Sequence, residues 1–208
     1  MWTLSTDGQA YALVMAPLIA GVSVIAAERT SGVACASYNR IAALMLVTLA
    51  LLTAAWTAPE AWRAWMALLF LGGLGFLAVF DARVLAVPVL PVAVLTLIGL
   101  ALAAASERFV EHAGAAAVGW AGFTLLAYVY SRARQREGMG AGDALVAALI
   151  GAWLSFEGLA WSVGLGAGAL ALWLLAKRHP SDAPCALVPG LTAGAALVVG
   201  FGPWLGME

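Results

Sequence analysis

Residues 62–80 read WRAWMALLFLGGLGFLAVF, and Asp81 follows directly. The only charge in that run is Arg63, next to its start. The run is long enough to cross about 30 Å of hydrocarbon as a helix. Its apolar residues are continuous rather than alternating, which indicates a helix and not a barrel strand. Working outward, the same texture recurs along the chain. Eight spans are expected, at roughly 10–27, 41–56, 62–80, 86–105, 113–130, 144–154, 159–176 and 186–205. The sixth is short, so it either begins inside the glycine turn before it or dips only part-way. Hydrophobic residues make up 64% of the 208 and charged residues 10%, with a mean hydropathy of +0.98. Soluble domains are about half apolar and a quarter charged. A water-soluble globule and a disordered chain are therefore both excluded. The expected fold is all-α: one polytopic integral membrane domain over residues 1–208.

Loop charge orients the spans. With the N-terminus outside, Arg29, Arg40, Arg83, Arg132, Arg134, Arg136, Lys177 and Arg178 fall in inside loops. Only Arg63 and Arg108 fall outside, so the bias is eight to two. Trp56, Trp62, Trp65, Trp153, Trp161 and Trp204 then lie near the outer interface, as belt residues do. Residues 1–10 carry Asp7 but no Lys or Arg, so no cleavable signal peptide is expected. A net charge of −1 gives no nucleic-acid footprint. Cys35 and Cys185 form no CxxC pair, and neither His112 nor His179 has a ligand partner at helical spacing, so no metal site is expected. Pro17 and Pro91, inside spans, are expected to kink their helices. Stretches such as 72–75 and 164–168 are rich in glycine, which suits close helix packing.

Most acids fall in turns: Glu60, Glu107, Glu111 and Glu157 outside, Asp182 inside. Two differ. Asp81 ends the third span, and Asp143 opens the sixth within Gly138-Met139-Gly140-Ala141-Gly142-Asp143. Both are placed at the cytoplasmic membrane edge, 62 residues apart in sequence. Structurally, Asp143 reads as a helix N-cap and Asp81 as a solvated charge beside Arg83. Chemically, two carboxylates brought together in a poorly solvated site share one proton. One then activates water while the other protonates a peptide carbonyl. Gly138, Gly140 and Gly142 lack Cβ atoms and would let an extended substrate strand approach.

The string from Gly138-Met139-Gly140-Ala141-Gly142-Asp143 to Ala147-Ala148-Leu149-Ile150-Gly151-Ala152-Trp153-Leu154 resembles the type IV prepilin peptidases, bacterial GxGD intramembrane aspartic peptidases. Asp81-Ala82-Arg83 followed by Val87-Pro88 looks like their first motif, and Leu187-Val188-Pro189-Gly190-Leu191 is a looser echo of their last helix. The resemblance runs from about residue 62 to 205. It implies eight helices, Asp81 and Asp143 as the catalytic pair, no cofactor, and an active site on the cytoplasmic side of the inner membrane. Implied partners are prepilin or pseudopilin precursors, whose basic leader is removed before assembly into a type IV pilus or a type II secretion pseudopilus.

Three positions depart from that pattern. The loop between the first two spans is short, with Cys35 alone in place of a zinc-binding domain, so neither zinc nor methyltransferase activity is expected. Leu145 stands where the family commonly has lysine, and Val89 where Asn or Asp usually follows the proline. The alternative reading is a catalytically inactive homologue serving as a membrane scaffold or pilin-binding subunit. A presenilin-like assignment would need Pro-Ala-Leu, but the chain has Pro184-Cys185-Ala186-Leu187. A transporter would need polar groups at mid-membrane, where only Thr48, Thr96, Thr124 and Ser162 are scattered.

Overall fold

The computed structural model describes residues 61–135, 140–177 and 186–201. They form five helices: α1 (Ala61–Val84), α2 (Val89–Ala105), α3 (Phe109–Arg134), α4 (Ala141–Lys177) and α5 (Val188–Phe201). The protein is an all-α membrane protein. Segments Met66–Val84, Phe109–Arg134 and Ala141–Ala176 are long and apolar enough to cross a membrane, while α2 and α5 are apolar but shorter. The expectation of eight spanning helices is corrected accordingly. Its first two spans and Pro17 lie outside the described residues. Its sixth and seventh spans are two halves of one element.

That element, α4, breaks at Ser155, where φ is 61° and ψ −168°. Its halves are 141–154 and 156–177, and the chain doubles back between them. A straight helix at about 1.5 Å per residue would hold Ala147 and Leu159 about 18 Å apart. Instead both meet Gly119 of α3: a Cβ there would lie 2.8 Å from the Ala147 carbonyl oxygen and 3.2 Å from Leu159 Cδ2.

The break has specific partners. It removes the helical use of the Ala152 carbonyl, and His112 Nδ1 donates to that oxygen at 2.9 Å. The Ser155 hydroxyl donates to the Glu111 carboxylate. Arg108 holds the same carboxylate through Nε and Nη2, both at 3.1 Å. Glu111 and His112, expected to lie idle in an outer turn, therefore bind the reversal of α4 to the start of α3.

α1 is the most buried of the three long apolar helices. Its Leu68, Phe70, Leu71, Leu74 and Leu77 are buried against Val92 and Leu95 of α2, Val146, Leu149 and Ile150 of α4, and Val188 and Leu191 of α5. Trp153, expected in the interfacial belt, is instead inserted among these helices. It stacks on Phe70 with centroids 5.0 Å apart and donates from Nε1 to the Leu95 carbonyl at 2.8 Å. The second half of α4 meets α5 through small residues spaced four apart, Ser162 and Gly166 against Gly190 and Gly194. Added Cβ atoms would collide with backbone there: Gly166 with the Gly190 carbonyl, Gly194 with the Ser162 carbonyl. Lipid offers no hydrophobic drive for helices to associate, so such close backbone approach supplies the contact.

Helix ends follow ordinary capping chemistry. After α2, Arg108 N–H donates to Ala103 O at 2.8 Å and Glu107 N–H to Ala104 O at 3.2 Å. This is a Schellman closure with Glu107, at φ 60°, where glycine is usual. Pro88 is the N-cap of α2. Pro91 is the third residue of that helix, within the turn whose N–H groups have no partner. It begins the helix rather than kinking it, which corrects the expectation.

Candidate active site

Asp81 sits in the last turn of α1 and Asp143 in the first turn of α4. Helix direction therefore brings both to one end of the bundle, where α5 also begins. Asp81 is 5% exposed and Asp143 9%. Asp81 lies close enough to Asp143 to feel its charge. The expected solvated Asp81 is thus a buried one.

Each carboxylate is held by a backbone donor. Asp143 Oδ2 accepts from Gly140 N–H at 3.2 Å. With Gly140 preceding Ala141, Asp143 is the third helical residue reaching back to the cap position, as the acidic member of a capping box does. This refines the N-cap expectation. Asp81 Oδ2 accepts from Val188 N–H at 3.2 Å, across 107 residues of sequence. One turn further along α5, Thr192 Oγ1 donates to the Leu74 carbonyl at 3.3 Å.

The three glycines of the second motif separate. Among the described residues, a Cβ on Gly140 would meet only Gly142 N at 3.8 Å and Asp143 Oδ2 at 4.0 Å, so none of them crowds this approach to the carboxylate. A Cβ on Gly142 would stand 2.7 Å from Val87 Cβ and Cγ2. Packing against the α1–α2 connection accounts for this glycine without a substrate. Gly138 lies outside the described residues, as do Arg136, Cys35, Cys185 and His179. Leu145 is half-buried against the apolar core, and Val89 is exposed at the first position of α2. Arg83 is half-buried, while Arg132 and Arg134 are exposed at the end of α3, with the Arg132 guanidinium 5.5 Å from the Tyr128 ring centroid. Among the described residues no group of three His, Cys, Asp or Glu side chains converges as metal ligands.

A family model, described as the type IV leader peptidase family, matches residues 67–207. The chain belongs to the type IV leader peptidase family. The match spans α1 to α5 and includes both aspartates. It supports a peptidase of the leader-removing kind in general terms. Comparison with curated proteins and with solved structures gave no match. Sequence reasoning placed Val87 and Val188 in family-like motifs without giving either a role at the site, and it missed Thr192. Val188 acts through a main-chain N–H, which leaves no side-chain signal, and Val87 acts through shape.

Proposed function

We propose that this leader peptidase family member is a membrane aspartic endopeptidase that cuts the leader from type IV prepilin or pseudopilin precursors. The observation that carries the reading is the pairing of Asp81 and Asp143: both buried, both tied to backbone donors, with Asp143 near enough for its charge to act on Asp81. An ionised carboxylate takes a proton from water as that water attacks the scissile carbonyl. Its protonated partner gives a proton to the carbonyl oxygen; on collapse of the tetrahedral intermediate the newly protonated carboxyl gives its proton to the leaving nitrogen, the partner takes one back from the gem-diol hydroxyl, and the amine departs. Gly140 is the glycine best placed to let an extended strand reach Asp143, with Gly138 beside it in sequence. Loop charges put this end of the bundle at the cytoplasmic edge of the bacterial inner membrane. A basic leader would stay in the cytoplasm, and its junction with the apolar pilin helix would meet the aspartates.

The test is leader cleavage of a co-expressed prepilin, read as a gel shift, for the wild type, Asp81→Asn and Asp143→Asn. The substitutions keep size and most hydrogen bonding but remove the ionisable acid. The wild type is expected to cut and both variants to leave the precursor intact. A well-expressed wild type that leaves several different prepilins uncut would favour the scaffold or pilin-binding alternative.

A further inference from the structure

We propose that the main-chain N–H of Val188 is a positioning group for the reaction, and that Thr192 is the side chain that keeps it in register. This rests on the two-aspartate reading. Asp81 stands near the C-terminal end of its own helix, where exposed carbonyls carry partial negative charge. α1 therefore cannot support an anion there. The start of α5 does: Val188 N–H donates to Asp81 Oδ2 at 3.2 Å, with Val188 0% exposed.

The donor is one that α5 has no internal use for. Leu191 N–H bonds the Leu187 carbonyl at 3.1 Å, which makes Leu187 the cap and Val188 the first helical residue. Pro189 follows and has no N–H to compete. Thr192, 2% exposed, ties α5 to α1 at Leu74. Sliding α5 by one residue would turn the Val188 N–H about 100° away from Asp81. The two carboxylates thus use one device in two ways. Asp143 takes a helix-start N–H from three residues away, while Asp81 borrows one from α5. The first is built locally; the second exists only when α5 is docked.

Proline is well accepted at a first helical position. Val188→Pro therefore deletes the donor where a helix tolerates it best, and Val188→Ala keeps the donor while trimming the same side chain. The purified full-length chain is assayed on a prepilin for kcat and KM, beside the wild type, Asp81→Asn, Thr192→Val and Thr192→Ser. Val188→Pro is expected to lower kcat by roughly ten- to a hundredfold at unchanged KM, as loss of a hydrogen bond to a charged group does. Val188→Ala should stay within about threefold of the wild type, since it makes the same bond. Thr192→Val should lose kcat and Thr192→Ser recover it. Equal kcat for Val188→Pro and Val188→Ala overturns the proposal. If Val188→Pro does not accumulate in membranes, equal kcat for Thr192→Val and Thr192→Ser overturns it instead. An Asp81→Asn variant that still cleaves overturns the two-aspartate reading and the anchor with it.

Discussion

Gly142 carries Val87 on its bare Cα face: a Cβ on the glycine would fall 2.7 Å from the Cβ of the valine. That contact sets the connection leaving the Asp81 helix against the turn that presents Asp143. It joins the two acidic segments through shape alone, and a polar signature is not needed.

Gly142→Ala should therefore force the two segments apart. Overpacking of this kind costs about 1–3 kcal/mol, and cleavage should fall with stability. Removing the opposing Cβ with Val87→Gly should restore part of both in the double variant. A double-mutant cycle on thermal unfolding and on cleavage checks this. Additive losses would show that the glycine serves something other than Val87.

Ser155 supplies a hydroxyl to Glu111 from a backbone conformation that only glycine adopts without strain. Ser155→Ala keeps the strain and loses the bond. Ser155→Gly loses the same bond and releases the strain. The glycine variant should be the more stable of the two by about 1–2 kcal/mol, measured by thermal unfolding in detergent. The reverse order would mean that the reversal of α4 does not depend on that dihedral.

Glu107 is exposed and left-handed, at φ 60°, in the turn between α2 and α3. Its main chain closes α2, but its side chain pays a steric cost that glycine avoids. Glu107→Gly should raise stability by about 0.5–1 kcal/mol without changing cleavage. A melting curve showing a lower midpoint would contradict this.

Ser162 Oγ is buried and has no hydrogen-bond partner among the described residues. Its value is smallness, since its backbone carbonyl abuts Gly194. Ser162→Ala should be neutral or slightly stabilising, because it removes an unsatisfied hydroxyl. Gly194→Leu should cost more than about 2 kcal/mol, because backbone and not a movable side chain blocks the new atoms. Unfolding of the two variants side by side tests the contrast.

Composition and continuous apolar runs were enough to identify an all-α membrane protein, because the bilayer permits few ways to satisfy a backbone. The segment boundaries near Ser155 were also legible, since residues 144–154 and 159–176 each read as a separate apolar run. Asp81 and Asp143 stood out because each directly abuts an apolar run while most of the other acids fall in turns, and the glycine-rich turn marked the second of them. Tertiary structure alone decided the rest. Trp153 looked like a belt residue, but Phe70 and the Leu95 carbonyl, brought together by folding, draw it inward. His112 looked idle because its partner is a carbonyl 40 residues away that becomes available only where α4 breaks. Val188 offers Asp81 nothing but a main-chain N–H, a group nearly every residue carries. A sequence records which side chains a segment holds, whereas which backbone donor faces which carboxylate depends on the register between helices far apart in the chain.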